Sequence, residues 1–587
     1  MRKFLVKLMF ALMVVALLPV QVAQACSAFI VGKDLTTDGS MLFGRTEDYP
    51  YAPDGGRHNK TYEVVPAKDY KDGDMLEDES NGFAYPHLSH EMKYTATYDA
   101  AHGDGSNGNF GAHGFNEAGV SMTSTVSATP HDKILEADPL VKNGLAEAAM
   151  VDLVLPRVKT AREGIELVAK VLDEKGSAEG NIIVVADKNE LWYMEILSGH
   201  QYVAIKFPQD RYAIFANTYY LGHVDLTDKE NVISSKDVEK IAKKADHYKT
   251  DKDGKFHIAD SYGPDEYTER NRSRTYAGIT LMDPKADVKY DDKHFDLLRK
   301  PTDPSKKYSL EDVFAEQRNR FEHLKQYTPD DLVEPGKEVD TNKYKYALGN
   351  ENVINAHVYQ IKKDLPTPFG GVVWLGLAQS RNTPYVPFYG IVNDTYGPFK
   401  VRSAKYDPTS WYWAVWHIDQ MVMKYPDLFG NSIQEKWKEM EEGWIKEQAA
   451  LDQKYSGLTD DQAKATADEV TSDSLKRAET IFKQIKQVES EMEDKIRTEK
   501  GLEADFVYDG YNKANLVAAA QAEKDASKET DKKEETDKKE ETASSQSSSK
   551  ASDSSSSLSA VLGVLALAGF GLAGFYFKKS KKNENEE

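Results

Sequence analysis

Cys26 is the only cysteine among 587 residues, and it directly follows a sequence typical of a removable leader. Residues 2–7 carry three basic side chains, residues 8–18 form an apolar run, and residues 23–25 (AQA) match the small-residue pattern of a cleavage site. Cleavage after Ala25 would give Cys26 a free α-amino group beside its thiol. An ionised thiol is a strong nucleophile, and an α-amine with a pKa of about 8 accepts a proton at neutral pH. The pattern therefore predicts a nucleophile and its base within one residue.

Two other interpretations of Cys26 stay open at this stage. A lone cysteine is often a small buried hydrophobe, although that does not explain its position at the cleavage site. Cys26 could also be the lipidated first residue of a surface lipoprotein. Such sites usually have leucine three residues before the cysteine, whereas this chain has Ala23 there.

Arg45 and Asp48 are the charged residues that the sequence places near Cys26. Residues 26–31 and 41–46 are β-prone runs on either side of a loop that contains Asp38 and Gly39, which predicts a hairpin. If Val31 pairs with Met41, Cys26 lies opposite Thr46, and Arg45 and Asp48 bracket it. Arg45 could lower the pKa of the thiol, and Asp48 could accept a hydrogen bond from the α-ammonium. Without that proximity, the pair would be read as a surface ion pair.

The composition excludes several classes of function. The formal charge is −21, and the loss of residues 1–25, with three basic and no acidic residues, makes it −24. This argues against nucleic acid or an anionic membrane as the main partner. One cysteine cannot form an intramolecular disulfide. No histidine has the neighbours of a papain-like or metal site, and residues 251–254 (DKDG) lack the remaining spacing of a calcium loop. We therefore expect no metal and no cofactor.

The chain between the leader and about residue 519 has the alternation of strand and helix patterns expected of layered α/β sheets. Strands are predicted at 119–126, 181–186, 190–196, 202–205, 212–216 and 371–377, and helices at 145–155 and 160–172. Apolar residues recur at spacings of three and four from Leu475 to Ile496, which predicts an amphipathic helix.

The C-terminal sequence predicts a tether. Residues 520–557 are a low-complexity, charged and serine-rich stretch, expected to be a disordered linker. Residues 558–577 are uncharged and long enough for a transmembrane helix, and the lysine-rich residues 578–587 would form a cytoplasmic tail. The globular part would then lie at the cell surface, anchored in the plasma membrane, as in Gram-positive bacteria, although no Leu-Pro-x-Thr-Gly sorting motif is present.

The residues around Cys26 resemble the opening of the C69 family of dipeptidases, which are N-terminal nucleophile hydrolases related to penicillin V acylases and bile salt hydrolases. The resemblance spans roughly residues 26–400. It is carried by residues 26–33 (CSAFIVGK), 37–40 (TDGS), 44–48 (GRTED), 114–120 (GFNEAGV), 186–187, 192–195 (WYME), 215–217 (FAN), 355–360 (NAHVYQ), 365–366 and 374. The resemblance implies an α+β, four-layer αββα catalytic domain over residues 26–420. Residues 421–519 would be an added helical region, followed by the linker and the single transmembrane helix.

The resemblance also implies roles for individual residues. Cys26 would be nucleophile and base, with Arg45 and Asp48 as the charged pair beside it. Asn217 would match the asparagine whose amide donates to the oxyanion. A family arginine would correspond to Arg270, Arg272 or Arg274, of which we favour Arg274. The second oxyanion donor or substrate contact is open, with Thr125 and Asn116 as candidates.

The resemblance implies hydrolysis of small peptide substrates, specifically dipeptides. Together with the predicted leader and the predicted C-terminal tether, it indicates an exported, membrane-tethered thiol hydrolase. Two alternatives remain open on sequence grounds. One is an N-acyl amide hydrolase of the same fold, such as a penicillin V acylase or bile salt hydrolase. The other is a non-enzymatic surface lipoprotein.

Overall fold

A computed structural model describes residues 25–49, 58–100, 110–124, 126–333, 337–403, 406–501, 507–508 and 511–512. The strands, numbered in chain order, are β1 Ser27–Val31, β2 Met41–Asp48, β3 Lys60–Val65, β4 Lys68–Asp69, β5 Met75–Asp78, β6 Phe83–Pro86, β7 His90–Glu91, β8 Tyr94–Asp99, β9 His113–Phe115, β10 Ser121–Ser124, β11 Asn181–Ala186, β12 Leu191–Ile196, β13 Tyr202–Lys206, β14 Tyr212–Phe215, β15 Val232–Ser234, β16 Thr328–Pro329, β17 Tyr344–Lys345, β18 Val353–Ile361, β19 Val372–Leu377, β20 Val386–Tyr389, β21 Val507–Tyr508 and β22 Tyr511–Asn512.

The α-helices are numbered in the same way. They are α1 Asp132–Ala137, α2 Glu147–Val154, α3 Ala161–Lys175, α4 Val238–Lys244, α5 Ile258–Tyr262, α6 Glu269–Met282, α7 Leu310–Arg318, α8 Trp411–Lys424, α9 Pro426–Phe429, α10 Ser432–Tyr455, α11 Asp460–Ala465 and α12 Ala467–Lys500. The strand predicted at 181–186 is present with the same ends. The strands predicted at 190–196, 202–205, 212–216 and 371–377 and the helices predicted at 145–155 and 160–172 are present with ends shifted by one to three residues. The predicted strand at 119–126 is the shorter β10.

Two six-stranded antiparallel sheets form the centre of the structure. The first has the order β14-β1-β2-β18-β19-β20, and the second has the order β15-β13-β12-β11-β10-β9. Helix α3 packs on the second sheet, and helices α6 and α7 pack on the first, at β14 and β18. Side chains of the two sheets meet where the His357 ring of β18 stacks on the His113 ring of β9, with ring centroids 3.6 Å apart. Every residue of β2, β10 and β18 is buried, including the polar and charged ones, so these strands place polar side chains inside the protein.

The hairpin β1–β2 forms as the sequence predicts, but its register is shifted by one residue. Val31 pairs with Leu42, not with Met41, and Ala28 pairs with Arg45. Because side chains alternate between the faces of a strand, Arg45 now lies on the face that carries Cys26 and Ala28, whereas Asp48 lies on the opposite face. Gly44 permits the close approach of β2 to β18, because a Cβ atom there would lie 2.2 Å from the carbonyl oxygen of His357.

The C-terminal helices form the third part of the described structure. Helix α12 packs against α8. Its buried residues Ala478, Ile485, Val488, Met492 and Ile496 lie on one stripe, which agrees with the amphipathic helix predicted from the sequence. The structure therefore extends the apolar core from the sheets into the helical region.

The predicted fold class and localisation need correction. Helices α10 and α12, with 24 and 34 residues, carry charged side chains in every turn, and no helix within the described ranges is long and apolar enough to cross a bilayer. The segment 558–577, for which the membrane helix was predicted, lies outside the described residues. We therefore describe the fold as mixed α/β, in place of the four-layer αββα class with a transmembrane helix. The predicted plasma-membrane location at the cell surface was based on that helix and is withdrawn with it.

Candidate active site

Cys26 lies at the start of β1, fully buried and beside the guanidinium group of Arg45. The distance from Arg45 Nη1 to Cys26 Sγ is 3.5 Å. Burial raises the pKa of the Cys26 thiol to about 12, whereas the positive charge of Arg45 lowers it. Ala25 precedes Cys26, so the nitrogen of Cys26 is a peptide amide here, and Ala25 is itself only 4% exposed. In this state of the chain the thiol is protonated at neutral pH, and Arg45 is the main group that favours its ionisation.

Arg274 approaches Cys26 from helix α6, on the other face of the first sheet. Its Nη1 donates to the carbonyl oxygen of Cys26 and to the hydroxyl of Ser27, the latter at 3.1 Å. Its Nη2 donates to Oδ1 of Asn217 and to Oδ1 of Asn271, both at 2.9 Å. Its Nε donates to the carbonyl oxygen of Arg270 at 3.0 Å, so all five N–H groups have an acceptor. These bonds fix the strand next to Cys26 relative to the residues after β14.

The local sequence of α6 explains how Arg274 reaches this position. Thr268 caps the helix by accepting a hydrogen bond from the backbone N–H of Asn271. Gly278 lets the helix lie directly on β14, because a Cβ atom there would be 2.6 Å from a methyl carbon of Ile214. Of the three arginines that the sequence offered, Arg270 is exposed, Arg272 donates to the backbone carbonyl groups of Tyr290 and Asp292, and Arg274 is 1% exposed.

Asn217 follows β14 and is held by its neighbours on two sides. Its Oδ1 accepts from Arg274, and its backbone carbonyl accepts from Nδ2 of Asn271 at 2.8 Å. Its own Nδ2 is buried, and no acceptor among the described residues lies within hydrogen-bond distance of it. A buried amide donor held in this way is suited to an anionic oxygen of a bound molecule.

Asp48 is buried on the face of β2 opposite to Arg45. Its Oδ2 accepts hydrogen bonds from Nδ2 of Asn350 at 2.7 Å and from the hydroxyl of Tyr346 at 3.1 Å. The ring of Tyr346 also lies 5.4 Å from the guanidinium carbon of Arg274. Asp48 and Arg274 are therefore on the same side of the first sheet and share one aromatic neighbour.

The two remaining candidates from the sequence have different outcomes. Asn116 is buried, and its Nδ2 donates to the backbone carbonyl groups of Leu155 and Val158, both at 2.7 Å. Its Oδ1 accepts from the N–H groups of Ala118 and Val120. These bonds close a turn, and both ends of the Asn116 side-chain amide are already bound to the backbone, so the amide is not available to a substrate. Thr125 lies outside the described residues.

Sequence reasoning missed a set of buried charges on the Arg45 side of the sheet. Glu47 Oε2 lies 3.3 Å from Arg45 Nη2, and Lys60 Nζ lies 2.7 Å from Glu47 Oε1 and 2.5 Å from Asp99 Oδ1. Oε1 of Glu147 lies 3.7 Å from Arg45 Nη1. The alternation of β2 places Glu47 on the face of Arg45 once the register is known. Lys60, Asp99 and Glu147 come from distant segments, and only the tertiary structure brings them to Cys26.

Two clusters of metal-ligating side chains share no residue with this site. In the first, Nδ1 of His131 accepts from the backbone N–H of Lys133, so its Nε2 carries a proton and faces Asp265 as a donor, beside His247. In the second, His417 and Glu493 flank Glu489, which already binds the ammonium group of Lys486. In the first cluster the Nε2–H group of His131 faces the carboxylate, and in the second cluster the ammonium group of Lys486 binds Glu489. Neither cluster changes the expectation that the protein binds no metal, which stays a prediction.

Comparison with known proteins identifies the family to which this chain belongs. A profile of Peptidase family C69 matches residues 25–439, so the chain belongs to this family and is a peptide-bond hydrolase. It is 48% identical over 487 residues to a protein of Streptococcus pyogenes serotype M1 named probable dipeptidase B, which covers 82% of this chain and 95% of the relative.

More distant relatives carry similar names. A probable dipeptidase of Latilactobacillus sakei is 30% identical over 446 residues, covering 76% of this chain and 90% of the relative. A probable dipeptidase of Salmonella dublin is 28% identical over 377 residues, covering 62% and 81%. The resemblance inferred from the sequence is confirmed, and the non-enzymatic alternative is wrong.

Proposed function

We propose that this protein hydrolyses dipeptides with the thiol of Cys26 as nucleophile and the α-amine of Cys26 as base, after residues 1–25 have been removed. The observation that supports this most directly is the 3.5 Å contact between Arg45 Nη1 and Cys26 Sγ, in a chain with no other cysteine. The dipeptide is proposed from the names of the relatives, which are called probable dipeptidases.

The proposed steps use the described side chains of Cys26, Arg45 and Asn217, together with the α-amine that removal of residues 1–25 would create and a water molecule. The α-amine takes the proton of the thiol, and Arg45 stabilises the thiolate. The sulfur attacks the peptide carbonyl carbon, and the amide Nδ2 of Asn217 donates to the resulting oxyanion. The α-ammonium then returns the proton to the leaving amino acid. Water, deprotonated by the same amine, hydrolyses the thioester and regenerates the free thiol.

Arg274 and Asp48 are proposed as positioning residues in this scheme. Arg274 holds both the carbonyl group of Cys26 and the side chain of Asn217, so it fixes the distance between nucleophile and oxyanion donor. Asp48 is buried on the face of the sheet that also carries the side chain of Ser27, the residue after Cys26, and is proposed to hold the α-ammonium when it forms. Both roles depend on geometry because a displacement of about 1 Å can lower a rate by about 10²-fold.

The test combines the mass of the mature protein with its activity. Protein that begins at Cys26 should hydrolyse alanyl-alanine, and Cys26→Ser should lower kcat strongly while the thermal unfolding curve stays close to that of the wild type. A diacylglycerol group on Cys26, or a folded Cys26→Ser protein with most of its activity, would eliminate Cys26 as the nucleophile. Comparison with an N-acyl amide substrate separates the dipeptidase from the acylase alternative.

A further inference from the structure

Cys26 is bordered by a cluster of buried charged residues, and one of them has no role in the chemistry proposed above. The cluster consists of the cations Arg45 and Lys60 and the carboxylates Glu47, Asp99 and Glu147. Glu47 and Asp99 hold the ammonium group of Lys60 between them, at 2.7 and 2.5 Å. Glu47 also accepts from Arg45 at 3.3 Å and from Nδ2 of Asn355 at 3.4 Å. Glu47 therefore serves as the counter-ion of both Lys60 and Arg45, and Asp99 as a counter-ion of Lys60.

Glu147 is held differently from the other two carboxylates. It is the first residue of α2, and its backbone N–H donates to Oε1 of Glu179 at 2.6 Å. Its Oε2 accepts a hydrogen bond from the hydroxyl of Ser127 at 3.2 Å. Its Oε1 lies 3.7 Å from Arg45 Nη1, which is longer than a hydrogen bond. The carboxylate is therefore fixed by a helix start and a hydroxyl group, and it faces the same guanidinium nitrogen as the thiol.

The distance from Glu147 to the nucleophile fits one end of a dipeptide. Arg45 Nη1 is 3.5 Å from Cys26 Sγ and 3.7 Å from Glu147 Oε1, so the sulfur and this oxygen are at most about 7 Å apart. In an amino acid the nitrogen and the carbonyl carbon are about 2.5 Å apart. A nitrogen about 2.8 Å from the carboxylate oxygen therefore allows its own carbonyl carbon to lie within about 3.3 Å of the sulfur, a near-attack distance.

We propose that Glu147 binds the α-ammonium group of the substrate and so restricts the enzyme to peptides with a free N-terminus. The proposal rests on the proposed function, because it takes the carbonyl carbon next to Cys26 Sγ as the reacting atom. An ammonium group has three donors and a full charge, and a buried carboxylate binds it far more tightly than it binds an uncharged group. Binding of the α-ammonium group at Glu147 places the carbonyl group of the first residue at the thiol. This is the carbonyl group of the single peptide bond in a dipeptide.

The competing explanation is that Glu147 is only a counter-ion of Arg45. The two explanations differ in what the loss of charge does to different substrates. A counter-ion acts through the thiolate, so its loss changes kcat/KM by the same factor for every substrate. An ammonium-binding carboxylate acts on the substrate, so its loss affects only substrates that carry the ammonium group.

The experiment compares alanyl-alanine with propionyl-alanine, which has the same peptide bond and lacks only the amino group. We expect the wild type to prefer alanyl-alanine by at least 100-fold in kcat/KM. Glu147→Gln should reduce this preference at least tenfold, mainly through a higher KM for alanyl-alanine, and leave propionyl-alanine within threefold of its wild-type value. Glu147→Asp, which keeps the charge, should retain more of the preference than Glu147→Gln.

Controls keep the outcomes separate. Glu47→Gln removes a carboxylate that binds the same guanidinium group, and it should lower both substrates by similar factors. Equal loss for both substrates in Glu147→Gln, or a wild type that does not discriminate between them, would overturn the proposal. The wild-type comparison needs no variant and therefore holds even if Glu147→Gln does not fold. Hydrolysis of either substrate by Cys26→Ser at the wild-type rate would instead refute the proposed function itself.

Discussion

Nη2 of Arg274 donates to Oδ1 of Asn217 at 2.9 Å, and this bond orients the amide of Asn217 in the site. An asparagine amide has one acceptor and one donor end. With the oxygen bound to an arginine, the nitrogen must point the other way, where no described residue accepts from it. The same guanidinium group also binds the carbonyl group of Cys26. One arginine thus fixes the strand next to Cys26, the proposed nucleophile, and the nearby amide donor together.

Arg274→Lys should lower kcat by about 10²-fold with little change in KM, because lysine keeps the charge but cannot hold Asn217 and Cys26 with one planar group. The matched control is Arg270→Ala, four residues earlier on the same helix. Arg270 is exposed and lies over the ring of Tyr346 at 4.9 Å, so its loss should leave kcat within about threefold of the wild-type value. Steady-state kinetics on alanyl-alanine, with thermal unfolding as a check on the fold, measure both. Similar effects of the two substitutions would contradict the assignment of Arg274.

Asn217→Ala should lower kcat by about 10²- to 10³-fold, the usual effect of removing one donor to an oxyanion. Asn217→Asp is the sharper variant, because it keeps the acceptor for Arg274 and replaces only the donating nitrogen with an oxygen. We expect it to be as inactive as Asn217→Ala while unfolding at a temperature close to that of the wild type. An Asn217→Asp protein with wild-type kcat would show that this amide does not contact the oxyanion.

The ionisation of Cys26 can be followed without interference, because the chain has no other thiol. Burial raises the pKa of the Cys26 thiol, and Arg45 is the largest influence that lowers it. In the mature protein, Arg45→Met should therefore move the pH midpoint of alkylation by iodoacetamide upward by about one to three units. Arg45→Lys, which keeps a positive charge, should shift it less. An unchanged midpoint in Arg45→Met would mean that another group stabilises the thiolate.

The sequence was sufficient to predict the family and most strands of the two central sheets, whereas the roles of the site residues stay predictions. Cys26, Arg45 and Asp48 are close in sequence at one hairpin, and strand alternation puts Arg45 on the face of Cys26 and Asp48 on the opposite face. The exact register could not be predicted, because the loop between β1 and β2 contains no two-residue turn that would fix it. That single-residue shift decides which face Arg45 occupies, and the structure places it on the face of Cys26.

The rest of the site depends on contacts between distant segments. Glu147 reaches Arg45 from the start of α2, and Lys60 reaches Glu47 from β3. Neither has a sequence pattern that distinguishes it from a surface charge, since charged residues at a helix start or a strand end are usually solvated. Arg274 was one of three arginines within five residues, and only the packing of α6 on β14 shows which of them is buried.

Glu316 predicts how the stability of the protein depends on pH. It lies on α7, is 2% exposed, and its Oε1 has no hydrogen-bond partner among the described residues. Burial raises the pKa of Glu316 to about 8. The folded protein thus holds a proton that the unfolded chain releases at its ordinary pKa of about 4.5, so stability falls as the pH rises from about 4.5 to about 8.

Glu316→Gln should remove this penalty, because an amide stays neutral at every pH. The free energy of unfolding at pH 8 should rise, by at most about 5 kcal/mol at 1.36 kcal/mol per pKa unit, while the value at pH 4.5 changes little. Urea denaturation at several pH values between 4.5 and 8.5 measures the difference. Glu311→Gln, in the first turn of the same helix and only partly buried, is the control, and it should change the slope of stability against pH less than Glu316→Gln does. Parallel curves for wild type and Glu316→Gln would contradict the assigned pKa shift.

The last prediction concerns removal of the leader, on which the proposed mechanism depends. While Ala25 is attached, the nitrogen of Cys26 is a peptide amide, which cannot accept a proton near neutral pH, and the buried thiol keeps its raised pKa. Ala25, bonded to this nitrogen, is itself only 4% exposed. Protein with an uncleavable extension before Cys26 should therefore be folded but inactive between about pH 6 and 9, the range in which a free α-amine titrates.

Protein made with a single methionine before Cys26 should gain activity when an aminopeptidase removes that methionine. Alanyl-alanine hydrolysis and N-terminal sequencing of the same samples connect activity to the free α-amine. If the extended protein hydrolysed the dipeptide as fast as the trimmed one, the α-amine could not be the base.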